Sequence, residues 1–212
     1  MGTIKQGILG GFSGKVGTVV GGSWKGISYM RSQALNIKNP RTDAQVSQRT
    51  KFALALSFLK PLTNVVRTGF KLYANKQTAF NAAMSYTLAN AISGDYPDFE
   101  LDFAAALISR GTLTPAANGL ASAADGKVTV SWEDNAGVGS AKATDKALIA
   151  LLNPNKGEGI SDNAGAARSV ASQSVEVPSD WIGDEVQVYL GFVSDDAKEV
   201  ANSVYLGAVT VA

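Results

Sequence analysis

From Arg110-Gly111 to the C-terminus the chain carries only short apolar runs of alternating character, and this limits its fold more than any other feature. Candidate strands fall at residues 127–132, 146–152, 169–177, 185–194 and 203–211. Turn-rich pieces such as Asn153-Pro154-Asn155-Lys156-Gly157 and Ser194-Asp195-Asp196-Ala197 separate them. Strands of this length and spacing predict an immunoglobulin- or fibronectin-like β-sandwich. Trp132, on an early strand, is placed as a core tryptophan of such folds, without a cysteine pair beside it.

The first half follows other periods. Val16, Thr18 and Val20, then Trp24, Gly26, Ser28 and Met30, alternate with their neighbours, so residues 3–32 read as a glycine-rich β-ribbon. Gly21-Gly22 is the expected hairpin turn, since glycine accepts positive φ. A helix follows from Thr42 or Asp43 to about Leu59, with Phe52, Leu56 and Leu59 as its apolar stripe. Pro61 breaks it, and a second helix runs through Val65, Val66 and Phe70. A third, from about Gln77 to Ile92, carries Phe80, Met84, Leu88 and Ile92, with Gly94 as its expected C-cap. Phe99, Leu101, Phe103, Ala105 and Leu107 alternate as a half-buried strand. The fold class is therefore α+β, divided into a basic ribbon-plus-helix domain, residues 1–111, and an acidic β-sandwich domain, residues 112–212.

Those adjectives come from a segregation of charge that the net value of +1 conceals. Residues 1–94 hold 12 Lys and Arg against the single acid Asp43, a net +11, whereas residues 95–212 hold 7 basic and 17 acidic residues, a net −10. So large a positive excess repels itself unless something offsets it.

Several chemistries are excluded at once. The chain has no cysteine and no histidine, which removes disulfides, thiolate nucleophiles, Cys/His zinc sites and every Ser-His or Cys-His dyad. No apolar run approaches the roughly 18 residues of a membrane span. No secretory signal is visible, and Gln6 stands where a myristoylation signal needs Ser or Thr. Synthesis in the cytoplasm is expected, with a virion or released extracellular particle as a further destination.

The stretch GGFSGKVGTVVGGSWKG, Gly10 to Gly26, superficially resembles a phosphate-binding loop. A Walker A loop needs GxxxxGK followed by Ser or Thr, but Val16 follows Gly14-Lys15 and Leu9 replaces the first glycine. A dinucleotide fingerprint must open a helix, and the residues after Gly17 are β-branched or glycine. A ribbon packed closely on another surface explains the glycines better. Glu100 and Asp102 in DYPDFELD fall on one strand face, where a calcium site or a carboxylate pair competes with a plain solvated face. Residues 156–163 are calcium-like in composition but lack EF-hand spacing. No cofactor, metal or small-molecule substrate is indicated.

GGFSGKVGTVVGGSWKG, NPRTDAQVSQRTKF, AFNAAMSY and SGDYPDFELDF together resemble an uncharacterised family of Bacteroidota and associated phage proteins. The resemblance is carried mainly by the first half. It implies a source and an architecture, but no catalytic residues.

The expected function is a non-enzymatic structural subunit that assembles head to tail as a ring, filament or virion component. Its basic half would contact the acidic half of the next copy. Lys15, Trp24, Lys25, Arg31 and Arg41 are the candidate basic face, and Glu100, Asp102, Asp195 and Asp196 the acidic one. The alternative is an architectural nucleic-acid-binding protein whose lysines and arginines neutralise phosphates while Trp24 and Tyr29 stack or wedge. A carboxylate-based enzyme is the weakest reading.

Overall fold

The computed structural model describes residues 2–4, 10–24, 26–35 and 41–212. They form two compact units, residues 1–42 and 43–212.

The first unit is a four-stranded antiparallel sheet in sequential order: β1 (Thr3–Ile4), β2 (Phe12–Val16), β3 (Val19–Trp24) and β4 (Ile27–Ser32). Val16 pairs with Val19 across the two-residue turn Gly17-Thr18, where Gly17 has φ +57°. The expected turn at Gly21-Gly22 lies instead in the middle of β3, opposite Met30 and Tyr29. Close approach explains both glycines. A Cβ on Gly21 would collide with the Phe12 carbonyl oxygen, and one on Gly22 would lie 3.2 Å from the Tyr29 ring. Gly21 is the one buried residue among those described in this unit. Lys5, Lys25, Lys38 and the Asn39-Pro40 end of the expected connector lie outside the described residues.

The second unit begins with α1 (Asp43–Leu59), α2 (Thr63–Gly69) and α3 (Ala79–Asn90). Asp43 favours the first turn of α1 electrostatically, and the Thr78 hydroxyl caps α3 by accepting from the Asn81 amide at 3.1 Å. The buried stripe of α1 is Ala55, Phe58 and Leu59, so it is rotated from the expected one and leaves Phe52 48% exposed. Ala91, rather than Gly94, is the C-cap of α3. Gly94, at φ +81°, turns the chain between β5 (Ile92–Ser93) and β6 (Glu100–Leu101). The strand expected over residues 99–107 shrinks to those two residues. Asp102 Oδ1 accepts from the Ala104 and Ala105 amides at 2.9 and 3.3 Å, which bends the backbone out of extension.

Seven strands then build two antiparallel sheets. β7 (Ala117–Ala124), β8 (Lys127–Glu133) and β11 (Ser172–Glu176) form one, in the order β11-β8-β7. β9 (Lys146–Asn153), β10 (Glu158–Asp162), β12 (Glu185–Val193) and β13 (Val204–Thr210) form the other, in the order β10-β9-β12-β13. This is the immunoglobulin/fibronectin-like sandwich, with Trp132 in its core. β7 and β10 are additional to the expected strands, and β10 occupies the calcium-like stretch. Arg168–Val170 forms a 3-10 turn, so β11 starts later than expected.

Alternation along the central strands shows why the helices and the sandwich form one unit. Ala147, Ile149 and Leu151 of β9, with Val186, Val188, Leu190 and Phe192 of β12, face the other sheet. Leu148, Ala150, Leu152, Tyr189 and Val193 face the helices, against Phe58, Leu59, Leu62 and Val65. The Phe58 ring meets Tyr189 edge-on, with centroids 5.8 Å apart, and the Tyr189 hydroxyl donates to the Phe103 carbonyl at 2.7 Å. Strands buried on both faces read as unbroken apolar runs, as ALIALL does. The compact units therefore divide between Thr42 and Asp43 rather than at residue 111.

Candidate functional site

Cross-strand register decides which ribbon side chains share a face, because directly opposed residues point the same way. Lys15 opposes Val20, and Val20 opposes Arg31. Trp24 lies an even number of residues from Val20 and opposes Ile27, while Gly22 opposes Tyr29. One face thus carries Lys15, Val20, Trp24, Ile27, Tyr29 and Arg31. With one strand between them, Lys15 and Arg31 are roughly 10 Å apart at the usual strand spacing. Trp24, Ile27 and Tyr29 are 64%, 67% and 45% exposed. Arg41 is exposed beyond the last strand, and Lys25 lies outside the described residues. Three of the five candidate basic-face residues are therefore gathered on one apolar, positively charged surface.

The ribbon unit, residues 1–42, contains six Lys and Arg and no Asp or Glu. The second unit contains 13 basic and 18 acidic residues. The ribbon unit is thus free of acids, while the change of sign itself, between residues 94 and 95, falls inside the second unit.

The acidic candidates are less concentrated. Glu100 is exposed in β6, whereas Asp102 has left the strand to cap the following turn, so the two do not form the expected facing pair. Asp195 and Asp196 occupy the loop between β12 and β13. Asp196 is engaged within the loop: it accepts from the Ser194 hydroxyl at 2.7 Å and the Lys198 amide at 3.1 Å, and it pairs with Lys198 Nζ at 3.1 Å. The Ser194 bond, followed by those from Lys198, holds its carboxyl well below the usual carboxylate range. Asp195 is exposed beside it.

Two charged arrangements had no local sequence signal. Arg168 and Asp145 form a fully buried ion pair inside the sandwich, Nε to Oδ2 at 3.2 Å. At one end of the sandwich sheet Lys156 pairs with Asp180 at 2.7 Å, which raises the lysine's pKa and lowers the carboxylate's. Their partners are distant in sequence, so only the fold joins them. Among the described residues no group of three or more Asp or Glu is arranged to hold a metal ion. No helix among them is long and apolar enough to cross a membrane.

No curated protein matches the chain. Among solved structures it is similar to the fibronectin type III domain of the human collagen alpha-1(XX) chain, at 11% identity and a TM-score of 0.36. That match covers 49% of this chain and 91% of the domain. The model of a family of unknown function, DUF6266, matches residues 11–207, and the chain belongs to that family.

Proposed function

We propose that the protein is a non-enzymatic structural subunit that assembles head to tail. Its ribbon face of Lys15, Trp24, Tyr29 and Arg31, with Lys25 and Arg41, docks on the acidic sandwich side of the next copy, to which Glu100, Asp102, Asp195 and Asp196 contribute. One observation carries this reading: a sheet without a single acid exposes aromatic and aliphatic side chains on the same face as two cations. An exposed apolar patch rimmed by charge is characteristic of an interaction surface. The protein supplies a complementary charge of its own in the second unit. Repetition of a heterologous contact yields a ring when the rotation closes and a filament when it does not, and a virion component is one form of either.

The same face also supports a second reading, nucleic-acid binding, because cations flanking exposed aromatics suit a phosphate backbone and stacked bases. Sedimentation velocity and negative-stain imaging of purified protein, with and without DNA, separate the two. Oligomers that form without nucleic acid support assembly. A monomer that sediments faster only with DNA supports the alternative.

A further inference from the structure

A groove of about 250 Å³ opens on the helical layer between the 3-10 turn Lys71–Tyr73 and α3. Its walls include Tyr73, Gln77, Ser85, Tyr86, Asn90 and Arg110. The Arg110 guanidinium lies 4.5 Å from the Tyr73 ring centroid and 5.2 Å from that of Tyr86. The walls are fastened: Gln77 Nε2 donates to the Tyr73 carbonyl at 3.2 Å, and Asn90 Nδ2 to the Tyr86 carbonyl at 2.8 Å. The Arg110 backbone amide donates to the Gly69 carbonyl at 3.0 Å. The half-buried guanidinium, by contrast, meets the two rings and no acceptor among the described residues.

Charge narrows what this groove accepts. Residues 44–94, which supply every other wall residue, contain six Lys and Arg and no acid. A guanidinium held against two aromatic rings keeps a planar fork that matches a carboxylate. The volume lies below the usual range for a drug-sized ligand and suits a single side chain. Residues 112–212 provide 13 acids against 6 basic residues.

We propose that Arg110, Tyr73 and Tyr86 form a carboxylate pocket that receives an acidic side chain from a second copy of this chain. The proposal rests on the self-assembly reading and adds a contact outside the ribbon.

The test is sedimentation velocity on the full chain at low salt, comparing wild type with Arg110→Gln and Arg110→Lys, each checked for fold by circular dichroism. Arg110→Gln is expected to weaken self-association about tenfold, as for loss of a charged hydrogen bond. Arg110→Lys, which keeps the charge but not the planar fork, recovers less than half of that loss on a logarithmic scale. Hexaglutamate added to wild type dissolves the oligomers, whereas duplex DNA at equal charge does not. Wild-type association by Arg110→Gln, full recovery by Arg110→Lys, or equal competition by DNA overturns the pocket alone. A wild type that never associates overturns the assembly reading and the pocket with it.

Discussion

Arg168 Nε lies 3.2 Å from Asp145 Oδ2 inside the sandwich, with both side chains wholly removed from solvent. The remaining guanidinium donors reach the Thr114 carbonyl at 2.9 Å and Asn135 Oδ1 at 2.5 Å. Arg168 Cζ lies 3.8 Å from the Phe192 ring centroid, and Trp132 Nε1 donates to the Arg168 carbonyl at 2.8 Å. One side chain thus ties the segment entering the sandwich to both of its sheets. Removing one partner leaves an uncompensated charge, so Arg168→Met is expected to cost about 3–5 kcal/mol. Urea denaturation checks this, and Arg168→Met with Asp145→Leu should recover a substantial part of the loss. A single variant as stable as wild type would remove the clasp from the account.

The helical layer and the sandwich should fold as one body, because Leu148, Leu152 and Tyr189 share one buried core with Phe58, Leu59 and Val65 of the helices. A fragment of residues 43–212 is expected to melt in one cooperative transition. Residues 112–212 alone expose that apolar face and should aggregate or bind a hydrophobic dye. Phe58→Ala in the longer fragment should cost about 3–5 kcal/mol, as for other buried aromatic truncations. A soluble, cooperatively melting 112–212 fragment contradicts the shared core.

How far the sequence reveals this arrangement depends on the range of the contacts. The extents of α1 and α2 and of most sandwich strands are readable, because caps, Pro61 and period-2 alternation are local signals. β7 escapes because ANGLASAA has little apolar contrast. The boundary near residue 111 is misplaced because ALIALL shows that β9 is buried on both faces, but not what covers the second face. Gly21-Gly22 reads as a turn because glycine serves close packing as well as positive φ, and only the position of Phe12 decides between them. The ribbon cations are readable as a cluster, but their common face follows from register. Arg110 and the Arg168–Asp145 pair depend on contacts between distant segments and leave no local trace.

Gly21 provides a separate test of the ribbon. Gly21→Val places a branched side chain against the Phe12 carbonyl and should disrupt the four-stranded sheet. The melting temperature of the second unit should change little, while self-association falls at least tenfold if a few interface residues dominate binding. Thermal melts and sedimentation of the same variant measure both effects. Unchanged association would show that this sheet is not the docking surface.

The loop between β12 and β13 has a defined pH response. Asp196 has a folded-state pKa below its unfolded value of about 3.9, so its stabilising contribution is present above that pH. That contribution is lost as pH falls through the folded pKa. Carbon-detected NMR titration should find Asp196 ionised below the ordinary Asp range. Ser194→Ala, which removes the principal hydrogen bond, should move it upward. An unchanged midpoint in that variant would contradict the assigned cause.

The central claim is that the acid-free ribbon joins copies of the protein through opposite charge. Sedimentation velocity on the full chain and on residues 43–212, at about 50 mM and 500 mM salt, tests it most directly, since ionic screening shortens to a few ångströms over that range. The account predicts oligomers of the full chain at low salt that dissociate at high salt, and a folded 43–212 fragment that associates far more weakly at low salt and is monomeric at high salt. A full chain that stays monomeric at low salt and high concentration, or a 43–212 fragment that associates as the full chain does, would contradict it.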